Sequence, residues 1–268
     1  MGKAFDGISG VILDMDGVLY RGNQPIVGSA KAVKCLRDEG RRVVFSTNNS
    51  AHSRVAYVKK LRMIGIEADK SEIITSGHAA AVYLKKHAPR AKVYPIGEIG
   101  LLEELKLAGV DVVPSSKAKN ATHVVVGIDK NFRYEKIAAG LQALLAGAEF
   151  IATNPDPTYP TEAGLSPGAG ATIGALAGCF GKGPSLVVGK PSLMMIRMAL
   201  EKLGTGRKTA VVGDRIDMDV AVGKKLGLRT VLVLSGVCTL EDEKRVRGTK
   251  MAPDFVSKNL AEAVSCRQ

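Results

Sequence analysis

With 268 residues, 46% of them hydrophobic and 24% charged, the chain falls in the globular range and fits one large or two modest domains, which excludes intrinsic disorder. No run of about 18 apolar residues is present and residues 1–17 lack the apolar stretch of a signal peptide, so a cytoplasmic chain with no membrane partner is expected. The net charge of +12 raises nucleic-acid binding, yet Lys59-Lys60, Lys85-Lys86 and Lys224-Lys225 lie far apart and there is no Trp, so no nucleic-acid partner is expected and the basic surface is read as solvated and able to steer anionic substrates.

Apolar β-branched runs alternate with amphipathic stretches, the pattern of parallel strands joined by helical crossovers, and the fold class is therefore α/β. Gly10–Asp14 reads as a buried strand, residues 28–39 as a helix, Arg42–Ser46 as the next strand and residues 52–64 as the next helix. Residues 92–153 carry their own alternation: a strand from Lys92, a helix over 98–108, strands near 110–113 and 123–127, a helix over 134–146 and a strand over 149–152. The Pro-, Gly- and Thr-rich stretch from Asn154 to Gly164 breaks the pattern and reads as a loop. Leu186–Gly189, Thr209–Gly213 and Thr230–Leu234 then resume it. Ser192 is the expected N-cap of a helix whose Leu193, Ile196, Leu200 and Leu203 form one stripe. Cys35, Cys179, Cys238 and Cys266 are scattered without a C-x-x-C pair, so neither a zinc site nor a disulfide framework is expected and all four are read as plain thiols.

Four segments share one placement, at or just beyond the C-terminal end of a strand, where open parallel sheets bind ligands. They are Asp14-Met15-Asp16-Gly17, Ser46-Thr47-Asn48-Asn49, Gly189-Lys190-Pro191 and Gly213-Asp214-Arg215-Ile216-Asp217-Met218-Asp219. Three carboxylates within about 4 Å of one another repel by several kcal/mol per pair at an effective dielectric near 20, so the cluster implies a bound cation. All-oxygen ligands point to Mg²⁺, which suits phosphoryl transfer because it neutralises phosphate oxygens as an anionic nucleophile approaches. A Thr hydroxyl, Asn amides and a Lys complete a cage for developing charge.

In this order the segments resemble the four signature motifs of the haloacid dehalogenase-like (HAD) superfamily. Thr47-Asn48-Asn49-Ser50, Gly189-Lys190-Pro191-Ser192 and the spacing between them resemble its NagD-like, p-nitrophenyl phosphatase branch. Gly127-Ile128-Asp129, Tyr134-Glu135-Lys136, Ala152-Thr153-Asn154 and Pro167-Gly168-Ala169-Gly170 are similar to the same branch, so the resemblance spans nearly the whole chain. It implies a Rossmann-like parallel-sheet core in two parts, residues 1–77 and 185–268, with an α/β cap domain over residues 78–184.

The resemblance further implies a Mg²⁺-dependent phosphatase of small phosphate monoesters of the nucleotide, sugar phosphate, phosphoglycolate or p-nitrophenyl phosphate type. Asp14 would attack phosphorus to form an aspartyl-phosphate, and Asp16 would protonate the leaving oxygen and then activate water. Mg²⁺ would be held by the Asp14 side chain, the Asp16 backbone carbonyl and the Asp214 side chain, with Asp219 a plausible outer ligand and Asp217 a weaker one. Thr47 and Asn48, with Asn49 beside them, would bind the phosphoryl oxygens, and Lys190 would neutralise both phosphate and Asp14. A phosphotransferase or phosphomutase using the same nucleophile, and a non-catalytic phosphoester sensor, stay open as alternatives. Selection of the leaving group is expected in the cap, above all over Asn154–Gly170, and a homodimer through the cap is expected by analogy.

Two decoys are set aside. Gly164-Leu165-Ser166-Pro167-Gly168 matches the G-x-S-x-G elbow of serine hydrolases, but Pro167 has no N–H for the oxyanion hole and all four His residues precede Ser166. The glycines of Gly168–Gly174 lack the preceding apolar strand of a dinucleotide-binding loop and read as a helix start.

Overall fold

A computed structural model describes residues 3–161 and 164–265. β1 (Gly10–Asp14) is buried along its whole length, and a tight hairpin of β2 (Tyr20–Arg21) and β3 (Gln24–Pro25) follows it. α1 (Ser29–Asp38), β4 (Arg42–Thr47), α2 (Arg54–Met63), β5 (Ile73–Thr75) and α3 (Ser76–His87) come next. The middle of the chain contains β6 (Lys92–Ile96), α4 (Ile99–Leu107), β7 (Asp111–Val112), β8 (His123–Val126), α5 (Tyr134–Leu145) and β9 (Glu149–Ala152). A β10–β11 hairpin (Thr158–Thr161, Gly164–Pro167), α6 (Ala169–Phe180) and β12 (Leu186–Val187) close that part. α7 (Met194–Leu203), β13 (Thr209–Gly213), α8 (Ala221–Lys225), β14 (Arg229–Val233), α9 (Leu240–Val246), β15 (Phe255–Ser257) and α10 (Leu260–Val264) complete it.

Two parallel sheets result, in the orders β15-β14-β13-β1-β4-β5 and β12-β9-β8-β6-β7. In the first, alternate residues face opposite sides, as the two-residue period of a strand requires. Val11, Leu13, Phe45 and Val212 enter one buried cluster with α1 and α10, while Ile12, Val44 and Val211 enter another. Both faces are therefore covered, which is why these strands read as unbroken apolar runs. From β1 the chain winds outward through β4 and β5, then returns on the other side through β13. The C-terminal ends of β1, β4 and β13 thus meet at the reversal point, where such sheets bind ligands.

The second apolar cluster does not stop at the first sheet. It continues through Ala80 and Leu84 of α3 and Met195, Ile196 and Ala199 of α7 to Val93, Val125 and Ile151 of the second sheet. The N-terminus of α4 is also docked on the loop after β4: Gly100 N donates to Ala51 O at 3.1 Å, and a Cβ at Gly100 would collide with the His52 backbone. Nearby, fully buried Glu104 accepts from Arg54 N at 2.7 Å and from Arg54 Nε at 2.9 Å.

Several expectations change. β12, expected among the strands of the first sheet, pairs with β9 and edges the second, so that sheet extends past residue 184. β5, α3 and β15 had no counterpart in the reading, and the expected loop from Asn154 holds the β10–β11 hairpin. Ser192 is not the N-cap: Leu193 occupies that position, and Ser192 Oγ accepts from Met194 N at 3.4 Å. The anticipated stripe packs on one apolar cluster, with Ile196 and Leu203 buried and Leu193 and Leu200 partly so, and Met195 and Ala199 complete its buried face. Cys35 is disulfide-bonded, so the thiol reading fails there; it holds for Cys179 and Cys238, and Cys266 lies outside the described residues. Among the described residues no helix is long and apolar enough to cross a membrane.

Loss of Glu104 strands Arg54 against apolar surface. Glu104→Ala is expected to cost about 2–3 kcal/mol, read as a lower urea midpoint at unchanged slope. A loss below about 0.5 kcal/mol would show that the pair contributes little to holding α4.

Candidate active site

β1 ends on Asp14, and the chain then turns so sharply that Met15 O accepts from Val18, Leu19 and Tyr20 N at 3.3, 2.8 and 3.4 Å. Gly17 makes that turn possible, with φ +79° and no room for a Cβ beside the Asp214 side chain. Asp14 and Asp16 consequently both line one cavity of about 230 Å³. β4 delivers Thr47, Asn48 and Asn49 to the same cavity, the segment after β12 delivers Lys190, and β13 with the turn after it delivers Asp214 and Asp219. That turn is a π-helical one over Ile216–Val220, in which Asp219 N donates to Arg215 O at 3.0 Å.

The centre of the site is a buried ion cluster. The Lys190 ammonium, 3% exposed, donates to Asp14 Oδ1 and to Asp219 Oδ1, both at 2.7 Å. Burial by itself would push this ammonium towards its neutral form, but Asp14 and Asp219 outweigh it and hold the proton well above the usual lysine range. Burial raises the Asp14 carboxyl well above its ordinary value, Asp219 and Asp214 push it further, and Lys190 opposes them. Asp214 is raised by burial and by Asp219, although its Oδ2 accepts from Val237 N at 2.6 Å. Asp16 is likewise raised by burial, against the pull of Lys60 and Lys190.

Carboxylate oxygens of Asp14, Asp214 and Asp219 all lie within 4.8 Å of one another. One ammonium cannot balance three carboxylates, and a donor set of oxygens alone fits a hard divalent cation. A cation there would favour the ionised form of all three. Asp219, expected as an outer ligand, is a full member of the cluster; the side chain of Asp16 is not in it. Asp217 is outside: it is exposed and bound to Arg215 through Nε at 3.1 Å and Nη2 at 2.7 Å.

The Asn residues divide their work. Asn48 Oδ1 accepts from Lys190 N at 2.8 Å, and its Nδ2 donates to Lys190 O at 2.9 Å and to Asp156 Oδ2 at 3.0 Å. Its side chain is thereby committed to the protein, while Asn48 still lines the cavity. Its role is to clasp the Lys190 backbone to the end of β4. Asn49 N donates to Thr47 Oγ1 at 3.1 Å and Asn49 Oδ1 accepts from Ala51 N at 2.8 Å, so both shape the loop while lining the cavity.

One further site residue has a role that the sequence alone does not show. Asp156, from the segment after β9, accepts from Arg215 Nη1 at 2.9 Å and from Asn48, and so ties that segment to the end of β13. Its place in the Asn154–Gly170 stretch, where selection of the leaving group is expected, is the sequence signal for it. None of the four His residues lines the cavity; His78 is buried and its imidazole is pushed down to about 3 by burial. Ser166 pairs with Tyr159 within the hairpin and is not in the lining. Of the second-sheet motifs, Lys136 Nζ stands 2.5 Å from the buried Asp129 carboxylate, while Ile128 and Asn154 line the cavity.

A cation at the cluster should stabilise the fold. Mg²⁺ or Mn²⁺ at about ten times its Kd is worth about 1.4 kcal/mol, which is about 3–5 °C in Tm for a chain of this size. Asp214→Asn should remove most of that rise, and a wild-type Tm indifferent to both ions would contradict the cation site.

Comparison with known proteins agrees with this geometry. The sequence profile described as "Haloacid dehalogenase-like hydrolase" matches residues 11–111, and a second, HAD-hydrolase-like profile matches residues 187–263. The sugar-phosphatase AraL of Bacillus subtilis is 36% identical over 95% of this chain and 91% of its own length. Phosphoglycolate phosphatase 2 of Arabidopsis thaliana is 37% identical over 97% of this chain and 93% of its own. The solved p-nitrophenyl phosphatase from Archaeoglobus fulgidus superposes with a TM-score of 0.88 at 41% identity, covering 96% of this chain and 98% of that one. The chain belongs to the haloacid dehalogenase-like hydrolases, in the group that includes the p-nitrophenyl phosphatases.

Proposed function

We propose that this chain is a Mg²⁺-dependent phosphatase that hydrolyses small phosphate monoesters through an aspartyl-phosphate on Asp14. The observation that carries the reading is the meeting of Asp14, Lys190, Asp214 and Asp219 in one buried cluster at the floor of a cavity that Asp16 and Thr47 also line. Sugar-phosphate, phosphoglycolate and p-nitrophenyl phosphate hydrolysis, the activities named for the relatives, belong to this reaction class.

In the first step an Asp14 carboxylate oxygen attacks phosphorus, the ester P–O bond breaks, and Asp16 gives its proton to the departing oxygen. Burial suits Asp16 to this, because it favours the protonated carboxyl. In the second step Asp16 takes a proton from water, whose oxygen attacks phosphorus and displaces Asp14. Lys190 neutralises Asp14 and the phosphoryl group it receives, and Thr47 with the backbone of the loop after it donates to the phosphoryl oxygens. Asp14, Asp214 and Asp219 with the Asp16 carbonyl would hold Mg²⁺, which supplies positive charge to the phosphate oxygens. Residues 78–184, whose hairpin contributes Thr158, Tyr159 and Leu165 to the cavity lining, would act as the cap that excludes water and meets the leaving group.

Hydrolysis of p-nitrophenyl phosphate by wild type and Asp14→Asn, each with Mg²⁺ and with EDTA, tests this. Activity is expected only for wild type with Mg²⁺, and wild-type turnover by Asp14→Asn would overturn the covalent route. Lys190→Ala should lose about 10²–10³-fold in kcat, the scale of removing an oxyanion donor.

A further inference from the structure

We infer that Lys60 and Tyr20 are positioning residues for Asp16: from outside the cavity they hold its carboxyl where it can pass a proton to the leaving oxygen. The inference rests on the phosphatase reading and adds two residues to its machinery.

Asp16 and Thr47 line the cavity, whereas Tyr20, Tyr57 and Lys60 do not. The fold nevertheless brings these three up behind Asp16. Gly17 N donates to Tyr20 O at 2.8 Å, Tyr20 N donates to Met15 O at 3.4 Å, and Asp16 pairs with Tyr20 in an isolated bridge, so the turn after β1 folds Tyr20 back against Asp16. α2 supplies the other two. Tyr57 and Lys60 are three residues apart on one helix face, and Ser53 caps that helix by accepting from Ala56 N at 3.4 Å. Both tyrosines are buried in the apolar cluster that also holds Met15 and Leu61.

A lysine on a surface helix ordinarily lays its stem along apolar surface and leaves its ammonium in water. Lys60 turns inward instead, and its Nζ stands 3.6 Å from the centroid of the buried Tyr20 ring. The face of the ring attracts the cation, and the hydration it gives up is recovered only beside an opposite charge. Asp16 supplies such a charge, and Lys60 acts on its carboxyl more strongly than Lys190 does. The Tyr20 hydroxyl adds a second handle. It is buried and has no hydrogen-bond partner among the described residues, and Asp16 is the charge that bears most on this phenol. A small turn of the Asp16 carboxyl towards Tyr20 gives the hydroxyl its acceptor. One carboxyl oxygen is then held by the protein and the other is left for the leaving group. A group that first gives a proton and then takes one back has to keep that orientation through both steps, because a displacement of about 1 Å costs on the order of 10²-fold in rate.

The experiment compares kcat/KM, with Mg²⁺, for p-nitrophenyl phosphate and phenyl phosphate, two aryl esters of similar shape. p-Nitrophenolate departs without a proton far more readily than phenolate, so a displaced general acid harms phenyl phosphate more. Lys60→Met and Tyr20→Phe are expected to lose at least about fivefold more on phenyl phosphate than on p-nitrophenyl phosphate. Lys60→Arg, which keeps a cation over the ring, should recover most of that difference. Damage to the fold alone lowers both esters alike, so equal losses, or none, in either variant would overturn the role given to that residue. Lys60→Arg as selectively impaired as Lys60→Met would overturn the part given to the charge. Wild type that hydrolyses p-nitrophenyl phosphate but not phenyl phosphate would show that no general acid serves the leaving group, and would overturn the inference as a whole. No turnover of either ester by wild type would instead strike the phosphatase reading, and the inference with it.

Discussion

The structure is organised around a lysine ammonium that is buried between two carboxylates. Lys190 could not stay charged at 3% exposure without Asp14 and Asp219, and neither carboxylate could sit where it does without a cation beside it. Much of the surrounding architecture makes this meeting possible. A side chain at Gly17 or Gly236 would collide with Asp214, and one at Gly213 with Asp219. The Asn48 amide holds the Lys190 backbone through both its oxygen and its nitrogen, and so fixes the lysine to the end of β4, the neighbour of the strand that carries Asp14.

The same arrangement extends to other residues of the cavity lining. Asn48 touches both Lys190 and Asp156, and Asp156 passes the connection to Arg215. Rigidity comes from below, where one apolar cluster runs from β1, β4 and β5 through α3 and α7 into the second sheet. A close-packed support of this kind fixes charged groups to within a fraction of an ångström, which electrostatic catalysis needs because its donors must already point at the developing charge.

The parallel core was legible because its strands are buried on both faces and therefore appear as unbroken apolar runs, as Val11–Leu13 and Ala210–Val212 do. Asp14, Asp16, Thr47, Asn48, Asn49, Lys190 and Asp214 were legible as candidates because each follows such a run, and the structure brings all of them to one cavity. What stayed hidden depends on pairing between segments distant in the chain. β12 has two residues, and only its ladder with β9 shows which sheet it joins. The strands of the β10–β11 hairpin carry Pro160 and Pro167, which masked them as loop. The clasp of the Asn48 side chain on Lys190 and Asp156, 142 and 108 residues away, has no signal in the sequence. Asp156 and Arg215 lie in stretches singled out from the sequence, but their ion pair, 59 residues apart, is not legible there.

The central claim is that the phosphoryl group rests on Asp14 during turnover. Rapid acid quench of the enzyme mixed with p-nitrophenyl phosphate and Mg²⁺, followed by peptide mass spectrometry, tests it most directly. The account predicts a phosphoryl adduct on the peptide carrying Asp14, present within the first turnover and absent in Asp14→Asn. Product release with no adduct at any quench time, or an adduct mapped to a residue other than Asp14, would contradict it.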